Sequence, residues 1–339
     1  MSAPITIGLL FGGRSDEHPV SIRSARAIAQ ALACRSHYHL LPFYLDRQGF
    51  WHDPTVSQTV LAHDRLPEPL AGFRLPPQIQ EVDVWFPVLH GPNGEDGTVQ
   101  GLLELMQKPY VGNGVLASAV GMDKILMKAC FAKAGLPQVK YQALHRRTWQ
   151  QDRDTWCEHL ELELGYPCFV KPSNLGSSVG IAKVRTRDEL IAGLEQAFTY
   201  DRRVIVEEGV SAREIECAIL GNDEPAASVV GEITYQSDFY DYETKYTAGK
   251  AELIIPANLP PTVVHAVQSA AKRAFTAIAG RGLARVDFFY IEASATILVN
   301  EINTLPGFTA TSMYPKLWEA SGLSFPDLCD RLVALALQT

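Results

Sequence analysis

The feature that most constrains this chain lies near its C-terminal end. There two apolar, β-branched runs, Leu283–Phe289 and Val299–Thr304, are separated by Glu292-Ala293-Ser294-Ala295. Runs of this kind flanking a short polar stretch fold as an antiparallel hairpin. Side chains alternate across a strand, so Arg285 and Asp287 share one face of the first run, and Glu301 and Asn303 share one face of the second. A three-residue loop over Ala293–Ala295 sets Asp287 opposite Glu301 and Arg285 opposite Asn303. Two carboxylates and an amide oxygen side by side in a half-buried sheet repel one another unless a cation sits between them. Oxygen donors without thiol or imidazole favour Mg²⁺ or Mn²⁺ over Zn²⁺. The alternative is a surface strand whose charges are solvated.

The rest of the chain bounds what this hairpin can belong to. A length of 339 residues fits two or three domains with ample core. The net charge of −8 argues against nucleic acid or an anionic membrane as partner, while leaving room for a local basic pocket for phosphates. No apolar run approaches the roughly 18 residues of a membrane span. Met1–Gly13 lacks the basic start and small-residue cleavage site of a signal peptide, so a cytoplasmic location is expected. The six cysteines form no Cys-x-x-Cys pair and read as reduced core residues.

In chain order, Ile5–Leu10 reads as a strand entering Phe11-Gly12-Gly13, and Pro19–Ala33 as a helix with proline in its first turn. A strand, a glycine turn and a helix N-terminus form a doubly wound opening, whose ligands gather at the carboxyl ends of the strands. Tyr38–Leu45 and Val82–Leu89 are further strands, the second running into His90-Gly-Pro-Asn-Gly-Glu-Asp-Gly97. Turn-forming residues place His90, Glu95 and Asp96 on a loop at a strand end, where His90 either stabilises the turn or contacts a ligand. Met122-Asp123-Lys124 opens a helix to about Ala134, ended by Gly135-Leu136-Pro137, and the strand–helix pattern restarts near residue 123.

Tyr166–Lys171 is a strand ending in a lysine, followed by Ser173-Asn-Leu-Gly-Ser-Ser-Val-Gly180. Successive backbone N–H groups of such a loop, with the lysine charge beside them, can cradle phosphates. The loop joins two strands instead of opening a helix, so it is not a Walker motif; it is either a flap over phosphates or a flexible hairpin loop. Arg202–Glu208 is a strand ending in acids, where Glu207 either accepts from a ribose hydroxyl or adenine amine or is a solvated edge charge. Arg213–Leu220 alternates strictly, as a strand does. The irregular aromatic and charged segment Asp238–Tyr246 reads as a functional loop, and Val263–Ile278 as an amphipathic helix on the sheet, stopped by Gly280–Gly282.

Taken in order, six motifs resemble the D-alanine–D-alanine ligase family of the ATP-grasp superfamily, across almost the whole chain. They are Phe11-Gly-Gly-Arg-Ser-Asp-Glu17, His90-Gly-Pro-Asn-Gly-Glu-Asp-Gly-Thr-Val-Gln-Gly101, Met122-Asp-Lys124, Val170-Lys-Pro-Ser-Asn-Leu-Gly-Ser-Ser-Val-Gly180, Tyr240-Asp-Tyr-Glu-Thr-Lys-Tyr246 and Asn300-Glu-Ile-Asn-Thr-Leu-Pro-Gly307. The resemblance implies an α/β chain with a three-domain ATP-grasp fold. Its parts are an N-terminal open α/β (Rossmann-like) domain over 1–123, a central lobe over 124–214, and a C-terminal lobe over 215–339 with the metal and second-substrate site. It implies ATP-dependent joining of two D-alanines through an acyl phosphate for peptidoglycan precursor synthesis, by a homodimer.

The residue roles are carried over in the same way. Two Mg²⁺ (or Mn²⁺) ions on Asp287, Glu301 and Asn303 would neutralise the β- and γ-phosphates. Lys124 and Lys171 would add charge there, Lys245 would reach the γ-phosphate, and the 176–178 loop, with Ser177 and Ser178, would cover it. Adenosine would lie against Glu207 and Val210, with Glu214 near the ribose. Glu17, supported by His90 and Ser177, would receive the first alanine's ammonium, and Tyr246 would link toward Ser177 and Glu17. Arg285 and the Gly307 N–H would stabilise the oxyanion, and Ser312 with the Met313 backbone would hold the second alanine's carboxylate.

Two positions depart from the family pattern. Pro19 stands where an acid is frequent, and Glu208 where some members have a basic residue. The closest alternative is a ligase joining D-alanine to D-lactate or D-serine, against which the Lys245-Tyr246 pair argues; another ATP-grasp carboxylate–amine ligase does not need the Glu17 motif. A nucleotide-binding regulator has no use for Arg285 beside three metal ligands. A nicotinamide dehydrogenase lacks its Gly-x-Gly-x-x-Gly turn.

Overall fold

The computed structural model describes residues 4–63, 66–68, 70–176, 179–235 and 251–338. Ser177, Ser178, Lys245, Tyr246 and the loop expected over 238–246 lie outside the described residues.

Among the described residues, three sheets organise the fold. The first is parallel, with β1 (Ile5–Gly12) between β2 (Tyr38–Leu45) and β3 (Val84–Pro87). A parallel strand covered on both faces needs a continuous apolar run, and β1 is buried from Ile7 onward. It ends at Gly12, with φ 95°, where a Cβ would stand 2.2 Å from the Leu45 carbonyl oxygen; only glycine fits this turn. The helix His18–Ala33 follows, with Pro19 in its first turn as expected.

The second sheet contains β4 (Tyr141–His145), β5 (Cys168–Pro172), β6 (Ala182–Val184) and β7 (Arg203–Glu208), antiparallel in the order β4-β7-β5-β6. The 173–180 loop thus joins neighbouring antiparallel strands. The third sheet has β8 (Arg213–Gly221), β9 (Ala226–Tyr235), β10 (Ala251–Ile254), β11 (Gly282–Ile291) and β12 (Thr296–Asn303), in the order β10-β9-β8-β11-β12. The helix Pro261–Ala277 lies on it and buries Val263, Val267, Ala271, Ala274 and Phe275, the stripe expected from the spacing. Full burial of a Val or Phe contributes about 1.5–3 kcal/mol, so this stripe anchors the helix.

The opposite face of the third sheet shares a core with the first. Ile7, Leu9 and Phe86 cluster with Ala218, Leu220, Tyr314 and Leu332. Asn113 adds a polar staple: its amide nitrogen donates to the carbonyls of Leu283 (2.6 Å) and Thr304 (2.8 Å), and its oxygen accepts from the Arg281 N–H (3.0 Å). The N-terminal sheet is therefore fixed against the start of β11 and the end of β12.

The hairpin brings Asp287 opposite Glu301 and Arg285 opposite Asn303, as expected, but by a different route. Ile291 pairs with Thr296, so the connection has the four residues Glu292–Ala295, with Ala295 left-handed at φ 50°. A bulge at Asn300 then shifts the register, since Phe288 faces Val299 while Asp287 faces Glu301. The extra loop residue and the bulge compensate.

One expectation is met here and another needs correction. The helix expected after Met122-Asp123-Lys124 forms over Lys124–Lys133; Asp123 stands in an extended conformation between it and a preceding helix, Val115–Met122, and its carboxylate accepts from the N–H groups of Ile125 and Leu126. An N-cap carboxylate satisfies donors that have no intrahelical partner, which is why the chain breaks there. Of the six free cysteines, Cys157, Cys168, Cys217 and Cys329 are buried, but Cys130 is half-buried and Cys34, at the end of the helix His18–Ala33, is exposed. No helix among the described residues is long and apolar enough to cross a membrane.

Candidate active site

A cavity of about 440 Å³ opens between the second and third sheets. The second sheet and the turn after it contribute Lys171, Glu207 and Val210, and the third contributes Glu214, Arg285, Asp287 and Glu301. Glu301 also lines an adjoining cavity with Lys124, Asn303, Leu175 and Gly176. Leu175 and Gly176 in turn line a third cavity with Arg14, Ser15 and Glu17. The three cavities therefore form a row, joined first at Glu301 and then at the 175–176 backbone.

On the second-sheet side, Glu207 is buried and is not the solvated edge charge that was one of its two sequence readings. Each of its oxygens meets a lysine: Oε2 accepts from Lys171 Nζ at 2.6 Å, and Oε1 is 3.0 Å from Lys128 Nζ. Burial pushes the Glu207 carboxyl up, but the Lys128 and Lys171 charges outweigh it and hold its pKa down to about 2. Lys128 was missed in the sequence reading. Its signal is spacing, because it follows Lys124 by four residues and so shares a helix face. Lys124 itself donates to the Leu175 carbonyl, which ties the helix start to the 173–180 loop. Asp123 reinforces that tie by accepting from Ser173 Oγ at 2.9 Å and from Arg203.

On the third-sheet side, Arg285 forks onto Asp287, with Nε to Oδ1 and Nη2 to Oδ2 both at 2.7 Å, and its Nε lies 2.9 Å from Glu216 Oε2. The Asn303 amide nitrogen donates to Asp287 Oδ2 at 2.9 Å. The guanidinium thus offsets the Asp287 charge in part, so the convergence of the two acids does not by itself require a metal. Glu216, one alternation beyond Glu214, was also missed. Glu214 accepts from the Tyr235 hydroxyl; burial raises its pKa more than that bond lowers it. Among the described residues no three His, Cys, Asp or Glu side chains form a metal-holding cluster. The available set of two carboxylates and an amide is all oxygen, which fits a hard divalent cation.

The Glu17 end is built on loops. The Glu17 N–H donates to Ser15 Oγ at 3.2 Å, and Ser15 Oγ donates to the His90 carbonyl at 2.5 Å, so His90 supports Glu17 through its backbone. The buried His90 ring meets Ser24 Oγ at 3.1 Å and the Leu305 carbonyl at 3.3 Å. His18, not singled out in the sequence, anchors the same turn: Nδ1 lies 2.6 Å from the Gly13 carbonyl and Nε2 lies 3.0 Å from the Tyr44 hydroxyl. A Cβ on Gly176 would lie 4.0 Å from Glu17 Oε2, so the backbone at Gly176 passes close to this carboxylate. Beyond β12, Ser312 caps nothing through its side chain; its Oγ accepts from the Thr309 N–H at 3.1 Å and would lie 3.0 Å from a Cβ on Gly307. Met313 begins the following helix and is buried. Gly307, Ser312 and Met313 line none of the three cavities in the row.

Comparison with known proteins agrees along the length of the chain. Family descriptions for the "D-ala D-ala ligase N-terminus" and "D-ala D-ala ligase C-terminus" match residues 6–113 and 130–334. A D-alanine--D-alanine ligase of Synechococcus sp. (strain CC9311) is 56% identical over 349 aligned residues, covering 99% of each chain. The solved D-alanine-D-alanine ligase from Coxiella burnetii superposes with a TM-score of 0.83 at 35% identity, covering 99% of this chain and 95% of that one. The VanG D-Ala:D-Ser ligase from Enterococcus faecalis gives 0.85 at 36% identity, covering 98% and 99%. The architecture is the ATP-grasp fold, that of an ATP-dependent ligase using a divalent metal ion. The chain belongs to the D-alanine–D-alanine ligase family.

Proposed function

We propose that the chain joins two D-alanine molecules into D-alanyl-D-alanine, cleaving ATP to ADP and phosphate, and so supplies peptidoglycan precursor synthesis. The observation that carries this reading is the row of cavities, with Glu17 at one end, Lys124 and Glu301 in the middle and the Lys171–Glu207 pair at the other. Adenosine lies against Glu207 and Val210, with Glu214 at the ribose. Lys171 and Lys124 bind the phosphates, Lys245 reaches the γ-phosphate, and the 176–178 loop with Ser178 covers it. Two Mg²⁺ or Mn²⁺ ions, held by Asp287, Glu301 and Asn303, neutralise phosphate charge when bound.

Glu17, with His90 and Ser177, holds the first alanine's ammonium and points its carboxylate at the γ-phosphorus. Attack there expels ADP and leaves an acyl phosphate. The second alanine's amine then attacks the acyl carbon, losing a proton as phosphate departs. Arg285 and the Gly307 N–H stabilise the tetrahedral oxyanion. Ser312 and the Met313 backbone hold the second carboxylate, and Tyr246 closes the network toward Ser177 and Glu17. The division at 123/124 and 214/215, a homodimer and a cytoplasmic location complete the proposal.

The two solved relatives differ in the second substrate their names give, at nearly equal likeness, so fold alone does not select it. The relative at 56% identity favours D-alanine. Phosphate release from ATP and Mg²⁺ tests this: it is expected with D-alanine alone, with D-lactate or D-serine adding no mixed product. Release that requires either of those instead overturns the assignment.

A further inference from the structure

Glu207 is 2% exposed, Lys128 1% and Lys171 8%, so one carboxylate and two ammonium groups share a nearly closed space. Lys171 lines the large cavity; Lys128 lines neither that cavity nor the one beside Lys124. It approaches Glu207 from the helix side and lies 5.5 Å from the centre of the Tyr141 ring, on the strand residue paired with Glu207. Burying an ammonium where it cannot reach a ligand is unfavourable unless its charge is used internally. With Lys171 alone, Glu207 would form a neutral pair, and the lysine facing the cavity would already have its counter-ion. With Lys128 as well, the trio keeps one net positive charge, and that charge is at the cavity wall.

We infer that Lys128 is a positioning residue: it neutralises Glu207 from behind, so that the Lys171 ammonium remains available to the phosphates of a bound nucleotide. The inference rests on the nucleotide reading of the large cavity. It also explains why two lysines a helical turn apart both point away from solvent while only Lys124 borders a cavity. Lys124 serves the phosphates directly, and Lys128 serves them through Glu207 and Lys171.

The test is calorimetric binding of ADP with Mg²⁺, and of adenosine, to the full chain and to two variants, with thermal melts to check folding. Lys128→Met should weaken ADP binding by about tenfold while adenosine binding changes less than about twofold, because Lys171 is then committed to Glu207 and only the phosphates need its charge. Lys128→Arg keeps a charge behind Glu207, so its ADP affinity should stay within about threefold of the unaltered protein. A merely structural lysine predicts equal losses of ADP and adenosine in Lys128→Met. That result overturns the inference, as does full ADP affinity in Lys128→Met. If Lys128→Met does not fold, Lys128→Gln, whose amide can still donate to Glu207 without adding charge, takes its place with the same expectations. No binding by the unaltered protein is a separate failure, which removes the nucleotide reading and this inference together.

Discussion

The two walls of the large cleft carry buried charge clusters of opposite balance. On the second sheet, Lys128 and Lys171 share the single carboxylate of Glu207. On the third, the single guanidinium of Arg285 serves both Asp287 and Glu216, with Glu301 facing Asp287 across the hairpin. One wall has a surplus cation and the other a surplus of acids. Burial penalises every one of these charges, so each cluster is stable only because its members compensate one another, and the remainder is what an incoming group meets. A polyphosphate suits the first wall and a divalent cation the second. Under the proposed function, a polyphosphate and a divalent cation that bind each other would thus meet walls of complementary charge.

The sharpest way to break this comparison is to remove charge from the acidic wall without changing its shape. Glu301→Gln should lower kcat by at least about a hundredfold at saturating Mg²⁺ while the melting temperature stays near that of the unaltered protein. A folded variant with near-normal turnover would show that the acidic surplus does not serve a cation. Arg285→Lys should have a smaller effect, a fall of about tenfold in kcat, because an ammonium cannot make the two parallel bonds to Asp287. Unchanged kcat there would mean that charge alone suffices.

Glu17→Gln tests whether the comparison stops at the cleft. Glu17 belongs to neither wall, so the Michaelis constant for D-alanine should rise about tenfold while that for ATP changes less than about twofold. Equal losses in both would make Glu17 a structural residue.

The smallest effects concern pH, where two glutamates of the same cavity shift in opposite directions. Glu207 has its folded pKa depressed to about 2 from an ordinary 4.5. Its contribution to stability is therefore fully present above pH 4.5 and is lost as pH falls toward 2. Glu207→Gln should flatten that acid limb in melts taken across this window. Glu214 is raised, so its charged form is disfavoured on folding above its folded pKa. Glu214→Gln should raise the melting temperature at pH 7 by about 1–2 °C, a sign opposite to that of the acid-limb loss. Melts showing the same sign for both would remove the distinction between the walls.

Much of this architecture is legible along the chain because strand and helix periods are short. The alternation at Arg285 and Asp287, the stripe of the helix Pro261–Ala277 and the glycine turn after β1 each depend on a few neighbouring residues. The facing of Asp287 with Glu301 was also legible, although the four-residue connection and the bulge at Asn300 that produce it were not. Lys128 and Glu216 lay in plain view, one helical turn and one strand alternation from residues already chosen. They were missed because their importance comes from burial and from partners far along the chain.

Residue order by itself determined which elements form, which faces they present and which family the chain resembles, since propensity, periodicity and motif spacing are local properties. Tertiary structure alone decided that Glu207 is an internal counter-ion shared by two lysines, that Arg285 pairs with both Asp287 and Glu216, and that cavities from three sheets align in a row. The reason is physical: the energy of a buried charge depends on desolvation and on every charge within a few ångströms, whatever their separation in sequence.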